Sequence, residues 1–159
     1  MKPMPVYFAF GSNMDAAQMA RRCPGARPLQ QATLLSHRLV FRGPSRNRGG
    51  GVASVDPTDH QEVRGLLWEV TDEDLRTLDR LEGAPQWYKR ASVVVSLDDG
   101  ATREAILYRL PEHVLEMIPT DAYYDQIAAA CATLGLDSGP LEDARRRAEQ
   151  AESQRSGRE

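Results

Sequence analysis

The chain has 159 residues, 41% apolar and 27% charged, and a net charge of −3 from 20 basic and 23 acidic side chains. That length suits one compact domain and is short for two, and the near balance of charge gives no general pull toward nucleic acid or an anionic membrane. Lys2 is followed by Pro3 and Pro5, the apolar run from Val6 to Phe10 is too short for a secretory core, and no stretch approaches the roughly 20 apolar residues of a membrane helix. The expected location is therefore the cytoplasm. Cys23 and Cys131 make neither a disulfide framework nor a zinc site. Cys131 falls at helical spacing among apolar residues and reads as a buried thiol. His37, His60 and His113 are far apart without ligand spacing, so no metal is expected, and the sequence offers no site for a nucleotide or other cofactor.

Val6 to Phe10 reads as a short buried strand, broken by Gly11-Ser12-Asn13. A short helix is expected from Asp15 to Arg22, ended by Pro24-Gly25. Leu34 to Phe41 reads as a strand and Gly43 to Gly51 as a loop. Val52–Val55 and Val63–Val70 read as two strands, with Asp56-Pro57-Thr58-Asp59 turning between them. The next helix is well signalled. Thr71 is the N-cap and Asp74 completes a capping-box variant, Val70 and Leu75 are placed for a hydrophobic staple, and Gly83 with Pro85 ends it. Lys89–Leu97 and Arg103–Leu110 are strands joined at Asp98-Asp99-Gly100. A helix from about Ala122 to Leu134 carries Tyr124, Ile127, Ala128 and Cys131 on one face and stops at Gly135. A last helix begins near Leu141. From Arg145 to the end the chain is charged and poor in large apolar residues, so residues 145–159 are expected to fray as a flexible tail after a single domain over residues 1–144. The order is not the regular alternation of a doubly wound sheet. It fits a mixed α+β domain with a strongly curved or barrel-like sheet.

Two features carry chemistry. In Tyr7-Phe8-Ala9-Phe10-Gly11-Ser12-Asn13-Met14, a strand runs into a turn that Gly permits and that Ser and Asn fix through their side chains. A helix starting just after it presents backbone N–H groups to a carboxylate or an oxyanion. The second feature is Glu82. Projected at roughly 100° per residue from Leu75, it falls between Leu75 and Leu78, on the face expected to be buried. Burial and the negative end of the helix dipole both raise its pKa, and a carboxyl tuned toward neutrality both accepts and donates a proton. The plainer alternative pairs Glu82 with an arginine such as Arg80 or Arg90, or has the helix end fray and expose it. Asp79 projects to the rim, solvated or paired with Arg76.

Together these segments resemble the gamma-glutamyl cyclotransferase-like (AIG2-like) family. Tyr7 to Met14 resembles its Y-G-S-N-L signature. Gly50-Gly51-Val52-Ala53-Ser54-Val55 is similar to its glycine-then-strand segment, and Val63-Arg64-Gly65-Leu66-Leu67-Trp68 to its next strand. Leu78-Asp79-Arg80-Leu81-Glu82-Gly83 with Tyr88 is similar to its L-D-x-x-E-G…Y motif, and Tyr108 and Pro119–Ile127 to its C-terminal part. Two positions depart: Phe10 stands where the signature has Tyr, and Met14 where it has Leu. The first removes a hydroxyl; the second is nearly neutral in volume. The resemblance implies a small mixed barrel flanked by helices, with a pocket at its mouth. It also implies cleavage of a gamma-glutamyl amide by its own alpha-amine, giving 5-oxoproline and a free amine or amino acid. By the same resemblance Glu82 is the general acid/base, and the glutamyl group is held by Tyr7, Phe8, Ala9, Phe10, Gly11, Ser12, Asn13 and Tyr124. Tyr88 is a further pocket candidate, with core packing as its leading role.

The implied partner is a small gamma-glutamyl compound, with neither nucleic acid nor membrane, acting as a monomer or homodimer. A close variant acts on gamma-glutamylamines. A reading of another class keeps the fold as a binding module or regulator for gamma-glutamyl-like ligands, but Glu82 and an intact Gly-Ser-Asn favour catalysis. The loop Ser45-Arg46-Asn47-Arg48-Gly49-Gly50-Gly51 reads as a solvated connector, with its arginines meeting a substrate carboxylate as the alternative.

Overall fold

In a computed structural model the protein is described over residues 2–84 and 86–157. Strand β1 (Val6–Ala9) leads through a single 3-10 turn (Ser12–Met14) into helix α1 (Ala16–Arg22). Two long strands follow, β2 (Arg27–Arg42) and β3 (Val52–Glu69), then helix α2 (Asp72–Leu81), strands β4 (Lys89–Leu97) and β5 (Thr102–Arg109), and helices α3 (Asp121–Leu134) and α4 (Gly139–Ser156). The strands close into a barrel in the order β1-β3-β2-β4-β5. Parallel pairing of β1 with β5 closes it and the other neighbours are antiparallel, as the expected α+β mixed barrel requires. None of the described helices is long and apolar enough to cross a membrane.

The long hairpin departs from expectation. β2 begins at Arg27 rather than Leu34, and β3 is one continuous strand where two were expected. The segment Asp56-Pro57-Thr58-Asp59, expected to turn, lies inside it, with Pro57 opposite His37. The ladder slips there, between Leu35 and His37, and Ser36 takes φ 57°. A bulge tolerates the proline's missing N–H, and β2 supplies partners on both sides of it. The chain reverses instead in the loop from Gly43 to Gly51, which places that loop at one end of the barrel.

The barrel interior is filled by Phe8, Phe41, Val55, Leu67, Val95 and Leu107, all fully buried. Gly65 is required by a close approach: a Cβ there would lie 2.4 Å from the Ala9 carbonyl oxygen and 2.8 Å from the Phe8 ring. Helix α2 forms as its signals demand. The Thr71 Oγ accepts from the Asp74 N–H at 2.9 Å, and Asp74 Oδ2 accepts from the Thr71 N–H at 3.1 Å. Gly83 closes it at φ 66°. Its N–H reaches the Arg80 carbonyl at 3.2 Å and the Ala84 N–H reaches that of Asp79 at 2.9 Å, a Schellman pair of bonds. Pro85, expected just beyond, lies outside the described residues.

The expected frayed tail is instead the body of α4, which continues to Ser156 and packs along β2. It buries Leu141, Ala144 and Ala148. Its arginines attach by their heads and cover apolar surface with their stems. Arg147 Nη2 donates to the Leu39 carbonyl, Arg155 Nη2 to that of Glu116 at 2.7 Å, and the Arg145 guanidinium sits 3.8 Å from the Tyr124 ring centroid. Small residues at helical spacing make this interface, so a search for large apolar residues passes over it.

Candidate active site

A cavity of about 630 Å³ opens at one end of the barrel. The turn after β1 contributes Phe10, Gly11, Ser12 and Asn13, with Tyr7 below them. The C-terminal end of α2 and the segment after it contribute Arg80, Glu82, Gly83 and Trp87. The Gly43–Gly51 loop contributes Ser45, Arg46 and Arg48, α1 contributes Arg22, and Val52, Ala53, Tyr88, Tyr108 and Tyr123 also line the cavity.

Glu82 is the C-cap of α2, half-buried, with its backbone still near-helical at φ −82°, ψ −5°. Leu75 and Leu78 below it are buried, so the helical projection identifies its face correctly. Burial raises the Glu82 carboxyl from the ordinary value to about 7, against the opposing charges of Arg22 and Arg48. Among the described residues it forms no ion pair; Arg90 is taken by Asp79 at 2.7 Å. Tyr108 Oη also donates to Asp79, at 2.5 Å. Asp79 therefore pairs with Arg90 and Tyr108, not with Arg76 as one alternative had it, and ties the last turn of α2 to β4 and β5.

The turn is held by Gln18 of α1. Its Nε2 donates to Ser12 Oγ and to Asn13 Oδ1, both at 2.8 Å. Asn13 Oδ1 also accepts from Arg22 Nη1 at 3.1 Å, Asn13 Nδ2 donates to Tyr7 Oη at 3.0 Å, and Trp68 Nε1 donates to the Asn13 carbonyl at 3.1 Å. Every polar side-chain atom of Asn13 is thus committed inside the protein, and its work is to fix the turn. Gln18 Oε1 accepts from Arg48 Nη2 at 3.0 Å and from Gln126 Nε2 at 2.8 Å, which pins the loop and α3 to the same hub. On the opposite side two tyrosines clamp one residue, Ala53, through the peptide groups on either side of its Cα. The Ala53 N–H donates to Tyr123 Oη at 2.9 Å, and Tyr88 Oη donates to the Ala53 carbonyl at 2.8 Å. Burial raises both phenols, that of Tyr123 to about 12, and raises Tyr7 with help from the Glu82 charge. All three remain neutral hydroxyls at physiological pH.

The structure brings Tyr7, Phe10, Gly11, Ser12, Asn13, Glu82 and Tyr88 into one cavity lining. It leaves three expected residues outside. Phe8 and Ala9 are fully buried in the barrel. Tyr124 packs against Phe41 and under Arg145, and its neighbour Tyr123 lines the cavity instead. Both tyrosines are buried on α3, so one helical face did not distinguish them. Gln18 was missed, although Asp15-x-x-Gln18 has capping-box spacing; its side chain turns to Ser12 and Asn13 rather than to its own helix end. Arg48, read as part of a solvated connector, reaches the hub and lies 5.0 Å from the Tyr123 ring centroid. Among the described residues, no group of three or more His, Cys, Asp or Glu side chains is arranged to hold a metal.

The fold and the cavity define a small mixed-barrel protein whose cavity lining holds, among the described residues, one carboxyl, that of Glu82, with a raised pKa. The family model described as Gamma-glutamyl cyclotransferase, AIG2-like, matches residues 7–126, and the chain belongs to this family. The bovine (Bos taurus) and human (Homo sapiens) proteins named Gamma-glutamylcyclotransferase are each 28% identical over 127 residues. Each match covers 77% of this chain and 66% of the relative, just under two thirds of its length. A solved structure named Gamma-glutamyl cyclotransferase superposes with a TM-score of 0.81 at 25% identity, covering 89% of this chain and 86% of that one.

Proposed function

We propose that the protein is a gamma-glutamyl cyclotransferase that releases 5-oxoproline from a gamma-glutamyl amide, with Glu82 as its general acid/base. The observation that carries this reading is the position and state of Glu82: a carboxyl in a cavity lining, unpaired among the described residues, with a pKa raised to about 7. Near neutral pH such a group exchanges a proton in both directions.

The chemistry asks little else. Nucleophile and electrophile belong to one substrate, so the site's first task is to fold it into attacking geometry. Glu82 takes a proton from the alpha-ammonium. The amine nitrogen bonds to the gamma-carbonyl carbon, and the charge that develops on its oxygen is stabilised by neutral donors around the turn, the Tyr7 hydroxyl among them. As the amide C–N bond breaks, Glu82 gives that proton to the leaving nitrogen. It then takes the second proton from the ring nitrogen, and that proton ends on the released amine as its ammonium. The lactam N–H keeps the last of the three ammonium protons. No atom is gained or lost and no water is consumed.

The test is 5-oxoproline release from a panel of gamma-glutamyl amino acids and gamma-glutamylamines by wild type and Glu82→Gln. Gln keeps the shape and removes the proton transfer, for an expected loss on the order of a hundred- to ten-thousand-fold in kcat. Full activity in the variant overturns the role of Glu82. Binding without turnover by either protein favours the binding-module reading.

A further inference from the structure

The charge of the cavity exceeds what the reaction needs. Among the described residues its lining carries four arginines, Arg22, Arg46, Arg48 and Arg80, against the single carboxyl of Glu82. They divide into two pairs. Arg22 and Arg48 are half-buried and anchored on the amide oxygens of Asn13 and Gln18. Arg46, from the Gly43–Gly51 loop, and Arg80, from α2, are exposed and form no ion pair with any described residue. The inner pair borrows neutral oxygens and shares only the one Glu82 carboxyl, so most of its charge is also uncompensated. A gamma-glutamyl group brings one ammonium and one alpha-carboxylate and is neutral overall. It leaves this field unbalanced, and the field acts on whatever is attached beyond the scissile amide.

We propose that Arg46 and Arg80 select gamma-glutamyl compounds whose leaving amine itself carries negative charge, most of all an acidic amino acid or a peptide bearing extra carboxylates, over gamma-glutamylamines. This rests on the cyclotransferase reading of the site. Guanidinium groups from two different elements suit a leaving group with more than one carboxylate, because each offers a fork of donors matched to a planar anion. A neutral or cationic amine leaves both arginines solvated and gains nothing from them.

The experiment compares gamma-glutamyl-glutamate, gamma-glutamyl-alanine and gamma-glutamyl-ethylamine. Each is measured for kcat/KM with wild type, Arg46→Gln/Arg80→Gln and Arg46→Lys/Arg80→Lys, and for calorimetric binding to Glu82→Gln. The expected order is glutamate, then alanine, then ethylamine, with about tenfold per added carboxylate. The double Gln variant should shrink the glutamate-to-ethylamine ratio at least about tenfold, while the double Lys variant keeps most of it. Added salt should compress the wild-type ratio in the same direction. A wild-type preference for the ethylamine, or a ratio that the Gln variant leaves intact, overturns the proposal. Should none of the three be turned over, the cyclotransferase reading fails while the binding order still decides this one: tighter binding of the glutamate compound supports it, and equal binding of all three overturns it.

Discussion

Arg48 of the hairpin loop donates from Nη2 to Gln18 Oε1 at 3.0 Å, joining the β2–β3 reversal to the turn that follows β1. The same Gln18 donates to both Ser12 and Asn13. One side chain on a seven-residue helix therefore sets the relative position of two cavity walls.

Gln18→Ala should for that reason affect more than its own helix. It leaves the buried Ser12 and Asn13 oxygens short of a donor, at a cost of about 1–3 kcal/mol. Arg48 loses its anchor in the same step. We expect a lower midpoint in denaturant and a kcat/KM reduced by roughly tenfold or more, whereas Gln126→Ala, which removes one contact to the same hub, should cost less on both readouts.

The Glu82 carboxyl should set both the pH–rate profile and part of the pH–stability profile. Its basic form starts the reaction, so kcat/KM should fall about tenfold per unit as pH drops below about 7. For stability the sign is opposite to that of an ion-paired carboxylate. The folded protein holds this proton more tightly than the unfolded chain does. The contribution of Glu82 is therefore most favourable below about 4.5, declines as pH rises to about 7, and stays level above that. Glu82→Gln removes the term. It should melt higher than wild type at pH 8, by about 2–8 °C, with the gap closing toward pH 5, as thermal melts at the two pH values will show.

Tyr108→Phe removes the hydroxyl that donates to Asp79. Asp79 keeps Arg90, so the fold should survive with a loss of about 1–2 kcal/mol. Because Asp79 lies in the last turn of α2, three residues before Glu82, the effect should appear in kcat more than in KM. Steady-state kinetics with the melting curve separates this from a general loss of folded protein.

Helix α4 should prove necessary to the fold. Leu141→Ala empties a position that is 2% exposed and should cost about 2–4 kcal/mol. Cutting the chain after Ser138 removes Leu141, Ala144 and Ala148 together and uncovers β2. The shortened protein should be mostly unfolded or aggregated at 25 °C by far-UV circular dichroism and size-exclusion chromatography.

Most of the framework was legible in local signals. The α2 capping residues, Gly83 and Gly135, and the Asp98-Asp99-Gly100 reversal each satisfy a demand of the neighbouring backbone, and the structure places them where the sequence does. Glu82 was legible for a related reason. A charged residue on the apolar face of a well-marked helix is costly unless it is paired, and a 100° periodicity is enough to mark its position, though not its role.

What sequence by itself could not decide depended on partners far along the chain. Pro57 marks a turn by composition, but an ordered β2 gives the backbone on either side a ladder to join, and the proline falls at a bulge. The charged end of the chain looks unable to fold alone, and it is ordered only because β2 offers backbone carbonyls and a surface that alanines and arginine stems can cover. Tyr123 and Tyr124 are indistinguishable by residue type, and the two faces of α3 that they take, about 100° apart, are both buried. The Ala53 amide, 70 residues away in sequence, brings one into the cavity while Arg145 covers the other. Local periodicity and capping chemistry thus fix elements and place Glu82 on the buried face of α2, whereas the cavity walls around it are set by long-range hydrogen bonds that no short window of sequence contains.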